Sequence, residues 1–586
     1  DIFGNCTSVI RPDGIEESYE YNYLGNQTKA TNGMGESVFA EYDALGRKIK
    51  DIIPNGEEES EFKTYYDYRG NVIKTVDAKG FKTENRYNER GFMISQRQYS
   101  TAAEGIETEY EYDGEGRLIQ TSYGAIGKEK ERHVYKNVLD HLGRITQSID
   151  NLGNIGYTEY DGNGNIIRKT DRNGIVTTME YDGLNQIIAE TNSKNGTKEY
   201  EYNDFGEITS ATDGINRICY TYNSFGEVTN VKDNYSDESF SYDISGNLTE
   251  YKKTDLEIGE ILQSYSYDIL NRLTEVITPV GNEMLTYDNA NRVITKTNTG
   301  TGIEKTYSYN PNGTVRTIKT IQNGKLTYSE YYEYDKNLNR IYADENGDIT
   351  EYTYDGMSRL TEITKNSTKT TSYEFDGYNN IIKEYELFGG ITNTKIYQYD
   401  ANNRLILKDD NREIEQYTYD NEGNMTEKAM GIGSQMTKSY YSYDGYNRLS
   451  EFVSDTDIAQ YTYDVTGMRK TKTVNGETTR FVYQGGDIIG EVKAEKSYKY
   501  YRGTDLIGSV SGNEYQYYRT NAHGDITAIL DIKGEVIQDY SYDAYGNKDM
   551  HSSHNMHMYI HTGSHRFHHP RGQDSSLIHL QSHMYK

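Results

Sequence analysis

The feature that most constrains this chain is self-similarity. The pattern Tyr-Asp-x-x-Gly, or a close variant, recurs at Tyr42, Tyr66, Tyr87, Tyr112, Tyr160, Tyr181, Tyr202, Tyr222, Tyr242, Tyr267, Tyr287 and Tyr309. It continues at Tyr334, Tyr354, Phe375, Tyr399, Tyr419, Tyr443 and Tyr463; with Tyr21, a Leu139 variant and a late copy at Tyr542 there are 22 copies. From residue 21 to residue 463 successive copies lie 20 to 27 residues apart. A fixed period of that size means one supersecondary unit used again and again, each unit burying its surface against its neighbours.

Each unit reads as a β-hairpin. The residues before the motif alternate, as in Tyr200-Glu-Tyr202, Tyr265-Ser-Tyr267 and Tyr417-Thr-Tyr419. Period two is the signature of a strand with one face buried, here an aromatic face. After the glycine comes a second β-branched stretch, such as Asn165-Ile-Ile-Arg-Lys-Thr, closed by a further turn such as Asp171-Arg-Asn-Gly174. The Asp-x-x-Gly element fits a type I turn: the carboxylate caps backbone amides, and the fourth residue turns left-handed to make a bulge.

That assignment carries an internal test. If the glycine slot demands positive φ, its replacements are expected to be Asn. They are Asn185, Asn271, Asn291, Asn379, Asn403 and Asn447, with Asn339 after a one-residue insertion, and Ser358 as the exception. The Asp slot holds Asn at Asn22, Asn88, Asn203, Asn223 and Asn310. An amide caps a turn but cannot act as a general base, so these positions are turn formers and no catalytic residue is assigned. The structural turns are exemplified by Tyr42, Asp43 and Gly46; Tyr112, Asp113 and Gly116; Tyr160, Asp161 and Gly164; and Tyr242, Asp243 and Gly246. Further along stand Tyr419, Asp420 and Gly423; Tyr463, Asp464 and Gly467; and Tyr542, Asp543 and Gly546.

Composition agrees with a thin, wet architecture. The 586 residues include 60 Tyr and 55 Gly, but 5 Pro, no Trp and a hydrophobic fraction of 34%. A compact globule with a large aliphatic core is not expected from these numbers. More than forty strands in one array must coil, because open twisted sheets seldom exceed about ten strands. Short links between consecutive hairpins favour one antiparallel ribbon wound as a spiral. Periodicity fixes the hairpin and not the radius, so a closed shell and a flat solenoid both remain open at this stage.

Several function classes are excluded. A net charge of −29 argues against binding a nucleic-acid backbone. No apolar run approaches the length of a membrane-spanning helix, and the carboxylates match no calcium loop. Cys6 and Cys219 make no disulfide framework. No nucleophile elbow, zinc-protease helix or phosphate loop is found, so no cofactor, metal or enzymatic activity is expected.

The extended motif Tyr110-Glu-Tyr112-Asp113-Gly-Glu-Gly116-Arg117-Leu118 resembles the YD repeat of RHS proteins, and the likeness runs from residue 1 to about residue 550. The resemblance implies an all-β fold of tandem antiparallel hairpins wound as a spiral sheet, a hollow shell. Residues 1–480 are then the repeat spiral. Residues 481–550, with Phe481-Val-Tyr483, Tyr518-Arg-Thr-Asn-Ala-His523-Gly524 and Tyr540-Ser-Tyr542, resemble the RHS-associated core that closes such shells. Residues 551–586 carry nine of the twelve histidines and resemble a diverged end of that core; their spacing fits no zinc pattern. Asp1 to Asn5 repeats the turn itself, so the chain is expected to start inside a repeat.

What the family implies for function is a scaffold that encapsulates a C-terminal toxin cargo in a secreted or cell-surface bacterial protein used in interbacterial competition. The cargo would be the partner, and the self-cleavage segment of the family maps onto no residue of this sequence. A competing reading is a surface module whose tyrosines stack on envelope glycans. Exposed rather than packed tyrosines would favour it.

Overall fold

The computed structural model describes residues 1–540 and 542, apart from Glu57, Ser434, Glu495, Ala522 and His523. Asp543, Gly546 and the histidine-rich segment 551–586 lie outside the described residues. Fifty strands, from Ser8–Ile10 to Val536–Asp539, form a single sheet, and each pairs antiparallel with its neighbours in sequence. A single 3₁₀ turn, Glu129–Glu131, is the only helical element among the described residues.

The ribbon is one layer thick over most of its length. Strands such as Glu16–Tyr21 and Ile155–Tyr160 alternate between exposed and half-buried residues, and in both the terminal Tyr lies on the half-buried face. The period-two reading therefore holds. Each motif turn from Tyr21 to Tyr463 carries the expected bulge: Tyr42 pairs with Lys48 and Tyr160 with Ile166, with the register slipping by one residue just before the motif residue.

Side-chain bonds across the ribbon reveal the coiling. Asn402 donates to Asp150, 252 residues away, and Asn337 donates to Asp77, 260 residues away. Asn192 donates to the Gly445 carbonyl, 253 residues away. A constant offset near 250 residues is the length of one circuit, so the sheet is a spiral of stacked coils. From the turn at Asp150 to the turn at Asp400 the chain passes through 23 strands. At about 4.8 Å per strand this gives a ring with a circumference of about 110 Å and a diameter of about 35 Å.

The circuit then shortens. Arg480 bonds Asp255 at an offset of 225, Gln322 bonds the Lys533 carbonyl at 211, and Lys365 bonds the Tyr542 carbonyl at 177. The aliphatic core sits in this narrowing part. Tyr251, Ile261, Val276 and Val280 of the first coil pack with Val482, Ile489, Ile507, Tyr517, Ala528 and Leu530. The strand Ile526–Leu530 is buried at all five positions, unlike any repeat strand before it.

One expectation at residue level is corrected. The glycine slot after Tyr334 holds no insertion: Leu338 itself takes the left-handed conformation at φ 65°, and its amide donates to the Asp335 carbonyl. Asn339 occupies the next position, and its amide nitrogen donates to Asp335 Oδ2 at 3.2 Å. The turn's hydrogen bonds impose positive φ even on a residue that resists it.

Candidate functional site

The functional unit of this chain is the repeat turn and the contacts it makes across the spiral. In Asp113-Gly-Glu-Gly116-Arg117, the Gly116 amide donates to the Asp113 carbonyl at 3.0 Å, and the Asp113 amide donates to the Arg117 carbonyl at 3.0 Å. Asp113 Oδ1 accepts the amides of Glu115 and Arg117, and Oδ2 accepts Arg117 Nε at 2.6 Å. Gly116 stands at φ +89°, where a Cβ would also meet the Phe92 ring.

The same closure recurs at Asp43 and Gly46, Asp161 and Gly164, Asp243 and Gly246, Asp420 and Gly423, and Asp464 and Gly467. The Arg47 side chain holds the Asp43 carboxyl below its usual range, and the side chains of Asn165 and Asn247 do the same for Asp161 and Asp243. These carboxylates are fixed acceptors, held ionised by the donors around them. Nothing about them is poised for proton transfer.

A second device was not anticipated from the sequence. The hydroxyls of most motif tyrosines donate to a carbonyl two residues past the glycine slot of the preceding repeat. Tyr42 donates to Gln27, Tyr112 to Met93, Tyr160 to Ile145 and Tyr242 to Val228, at 2.8 to 2.9 Å. Tyr419 donates to Leu405 at 2.7 Å, Tyr463 to Leu449 at 2.8 Å and Tyr542 to Ile526 at 2.8 Å. The ring covers the neighbouring hairpin while the hydroxyl satisfies its bulged backbone, which favours Tyr in the slot; Phe375 and Leu139 fill it without that bond. These hydroxyls are committed inside the sheet and are not presented to a sugar.

The position after the glycine slot was missed as well, although its signal stands in the sequence. Where the turn begins with Asp, that position supplies a donor: Arg47, Arg144, Arg404, Asn165 or Asn247. Where the turn begins with Asn, it supplies an acceptor. Asn203 donates to Glu207 and Asn223 to Glu227, both at 2.6 Å, and Asn310 donates to Thr314 at 2.9 Å. The exchange of donor for acceptor preserves one hydrogen bond across two residue types. Asn88 faces Phe92 and caps the backbone alone, while Asp464 faces Met468 and accepts the Thr466 hydroxyl at 2.7 Å besides backbone amides. The arginines also reach forward: Arg47 and Arg144 lie 4.6 Å from the rings of Tyr66 and Tyr160, and donate to the Asp67 and Asp161 carbonyls.

The seam between coils joins the connecting turns of the first circuit to the repeat turns of the second. Asn151 donates to the Ala401 carbonyl, Asn173 to Asp420, and Lys79 pairs with Asp335 at 3.1 Å. Toward the narrow end the seam becomes ionic and buried. Arg480 bridges Asp255 and Glu257 at 2.7 and 2.6 Å, and Lys296 pairs with Asp505 at 2.6 Å. Burial pushes the Lys305 ammonium down to about 8, its Nζ donating to the Thr520 carbonyl at 2.7 Å. Burial pushes the Glu491 carboxyl up to about 7.

Cys6 and Cys219 are free thiols. No group of three metal-ligating side chains occurs among the described residues, and no described helix is long and apolar enough to cross a membrane. An open hollow of about 530 Å³ beside Tyr157, Tyr160 and Arg168 is lined by strand residues of mixed charge and polarity.

A single continuous antiparallel ribbon of Tyr-Asp-x-x-Gly hairpins, coiled into a shell, defines a YD-repeat scaffold of the RHS kind. The Teneurin YD-shell family model matches residues 58–236 and 190–387, together more than half of the sequence, and the chain belongs to that family. Among solved structures it is similar to the TcdB2-TccC3 complex without its hypervariable C-terminal region, with a TM-score of 0.58 at 14% identity. It is also similar to the Photorhabdus luminescens Tc holotoxin pore, with a TM-score of 0.52 at 13% identity. In both cases 91% of this chain is covered, but 34% of the other. Among curated proteins, an 87-residue stretch is 41% identical to the tRNA nuclease WapA of Bacillus subtilis and 37% identical to the tRNA3(Ser)-specific nuclease WapA of Bacillus spizizenii. That stretch is 14% of this chain and 4% of each relative, so the present chain matches only a small part of their length.

Proposed function

We propose that this shell encloses a C-terminal toxin segment of the same protein and presents it for delivery to competing bacteria. The observation that carries the proposal is the shortening circuit. A ribbon that is one layer thick for most of its length encloses space, and the fall in offset from about 250 to 177 residues draws the wall inward as the chain approaches its C-terminal side. In this reading residues 481–550 close the shell, and the cargo follows the narrow end. The TccC3 structure's hypervariable C-terminal region and the nuclease name of WapA are consistent with a passenger that varies while the wall does not. The wall itself acts as a structural domain, and the protein is secreted or held at the cell surface.

The test is to express the intact gene product and treat it with a nonspecific protease. Sequence beyond the described residues that resists digestion until the shell is denatured supports enclosure. If it is cleaved at the rate of an isolated unfolded peptide, the chamber is not its container.

A further inference from the structure

The closing strands show which face of the ribbon looks inward. Tyr251 and Val276 stand on the face of the first coil that carries the motif tyrosines, paired in register with Phe240 and Tyr265. They share a core with Val482 and Tyr517. Those two lie on the opposite face of their own strands, one residue before the bulge position Tyr483 and three before the bulge position Thr520. The closing strands follow the shorter circuit and so sit inside the first coil. The motif face is therefore the inner wall of the chamber.

Over much of the first coil this wall is uncharged. Register places Asn85, Gln96, Thr108, Tyr123 and His133 in one row across five strands, and Tyr110, Thr121 and Tyr135 in another. The rows displaced by one residue face outward. They read Lys74, Glu84, Arg97 and Glu107, and Glu111, Gln120 and Lys136. From Ser60 to Tyr160 no strand residue on the inner face is Asp, Glu, Lys or Arg; Lys169 ends the run. Burial holds the His133 imidazole below its usual range, which keeps it neutral. Arg47 and Arg144, which lie over the rings of Tyr66 and Tyr160, are each paired with a turn aspartate. Further along the ribbon, ionised groups return to this face in cross-strand pairs: Glu384 with Lys395 at 2.8 Å, and Glu415 with Lys408 at 2.8 Å and Lys428 at 2.6 Å. Polar groups of the wall are committed within it. Asn85 donates to the Val72 carbonyl, Gln96 to Asn85, and the Tyr112 hydroxyl to the Met93 carbonyl.

Strand pairing does not call for this asymmetry, because the same strands carry Lys, Glu and Arg at the alternate positions. A lining of one sign attracts groups of the other and rejects its own. A wall without net charge does neither. We infer that the chamber admits polypeptide segments of either net charge: the wall encloses and does not select by charge. The inference rests on the proposed enclosure of a C-terminal segment. It gives a physical basis for one wall serving passengers of different composition, although the chain as a whole carries a net charge of −29.

The test uses the intact protein, with the segment that follows the closing strands exchanged for disordered polypeptides of equal length, one Glu-rich and one Lys-rich. Both are expected to resist a nonspecific protease to the same extent as the natural segment, at low salt and at high salt, where attraction to fixed surface charges is screened. A difference of about tenfold or more in the ratio of protected to cleaved segment, about 1.4 kcal/mol, overturns the inference while the natural segment's protection leaves enclosure standing. If the natural segment is itself cleaved like a free peptide, enclosure fails and the inference with it. The wall variant Gln96→Glu, Thr108→Glu, Thr121→Glu, with hydrogen exchange of its strands unchanged, is expected to favour the Lys-rich segment by about tenfold. Gln147→Glu, on the outer face, is expected to favour neither. A triple variant as indifferent to charge as the parent overturns the assignment of this face to the chamber.

Discussion

The donor and acceptor exchange in the turns gives the sharpest test of how the repeat is specified. Asn203 donates to Glu207 at 2.6 Å in a half-buried site. Replacing Asn203 by Asp removes a hydrogen bond to a charged group, about 1 kcal/mol net, and sets two carboxylates about 3 Å apart. Coulomb's law gives between about 1.4 and 5.5 kcal/mol for that pair as the effective dielectric constant runs from about 80 to 20, and partial exposure places the site near the lower end, at about 2 kcal/mol. The total, about 3 kcal/mol, equals about a hundredfold increase in local opening. The amides of Gly206 and Glu207, which donate to the Asn203 carbonyl and to Asn203 Oδ1, report it directly by hydrogen exchange. Global melting is the wrong assay, because an array this long does not unfold as one cooperative unit. Adding Glu207→Arg recreates the pairing of Asp43 with Arg47 and is expected to recover most of the loss, giving a coupling energy of about 2 kcal/mol. Lowering the pH to protonate one carboxyl is expected to rescue the single variant in part. Wild-type exchange in Asn203→Asp at neutral pH, or no recovery in the double variant, would refute the reasoning.

Other perturbations follow from the same contacts. Gly164, at φ +95° where a Cβ would meet Arg144 Nη1 at an ordinary contact distance of 3.9 Å, is expected to accept Asn within about 0.5 kcal/mol but to lose about 1 to 2 kcal/mol as Val, read by exchange at its own hairpin. Arg480→Ala strands the buried Asp255 carboxylate and is expected to cost about 3 to 5 kcal/mol, releasing residues 481–540 to limited proteolysis before the rest of the wall. The narrow end is expected to be loosest between pH 7 and 8. Glu491, raised to about 7, binds more protons folded than unfolded, so its penalty is full above pH 7 and fades as pH falls toward 4.5. Lys305, lowered to about 8, binds fewer protons folded, so its penalty is full below pH 8 and fades as pH rises toward 10.5. Each contributes at most about 3 kcal/mol, and Glu491→Gln and Lys305→Met are expected to flatten the acid and alkaline arms respectively of a profile of local opening against pH, read by hydrogen exchange at the narrow end.

Local structure was legible because it is local. Period-two alternation before Tyr202 or Tyr419 and the exchange of Gly for Asn at Asn185 or Asn403 are both set within five residues, and the backbone obeys them. Leu338 misled the reading because a poor left-handed residue looks like an insertion unless its hydrogen bonds are known. The pairing of Asp with Arg and of Asn with Glu was present in the 22 copies but needed two columns read together. The tyrosine ladder was not legible at all, since nothing in one repeat states that its hydroxyl reaches the previous one. Contacts at offsets near 250 residues are further removed still: Asn192 and Gly445 are an ordinary amide and an ordinary glycine until the radius brings them together.

The radius itself follows from the distribution of side-chain size. Where the coil is wide, one face of each strand meets water and the other is covered by tyrosines, so the ribbon needs no aliphatic core and can be paid out hairpin after hairpin. Shortening the circuit forces the last strands over earlier ones, covering both faces, and only there does the sequence supply continuous apolar runs such as Ile526-Thr-Ala-Ile-Leu530 and Leu506-Ile-Gly-Ser-Val510. Charged groups carried into that region are largely paired, as Arg480 with Asp255, Lys296 with Asp505 and Lys253 with Glu238, although Gln263 Oε1 and Arg502 Nε are buried without a hydrogen-bond partner. Charge pairing and apolar packing thus rise together along the chain at the place where the offset falls. Replacing the apolar run 526–530 with a period-two repeat strand is therefore expected to leave the wide coils intact and the narrow end open.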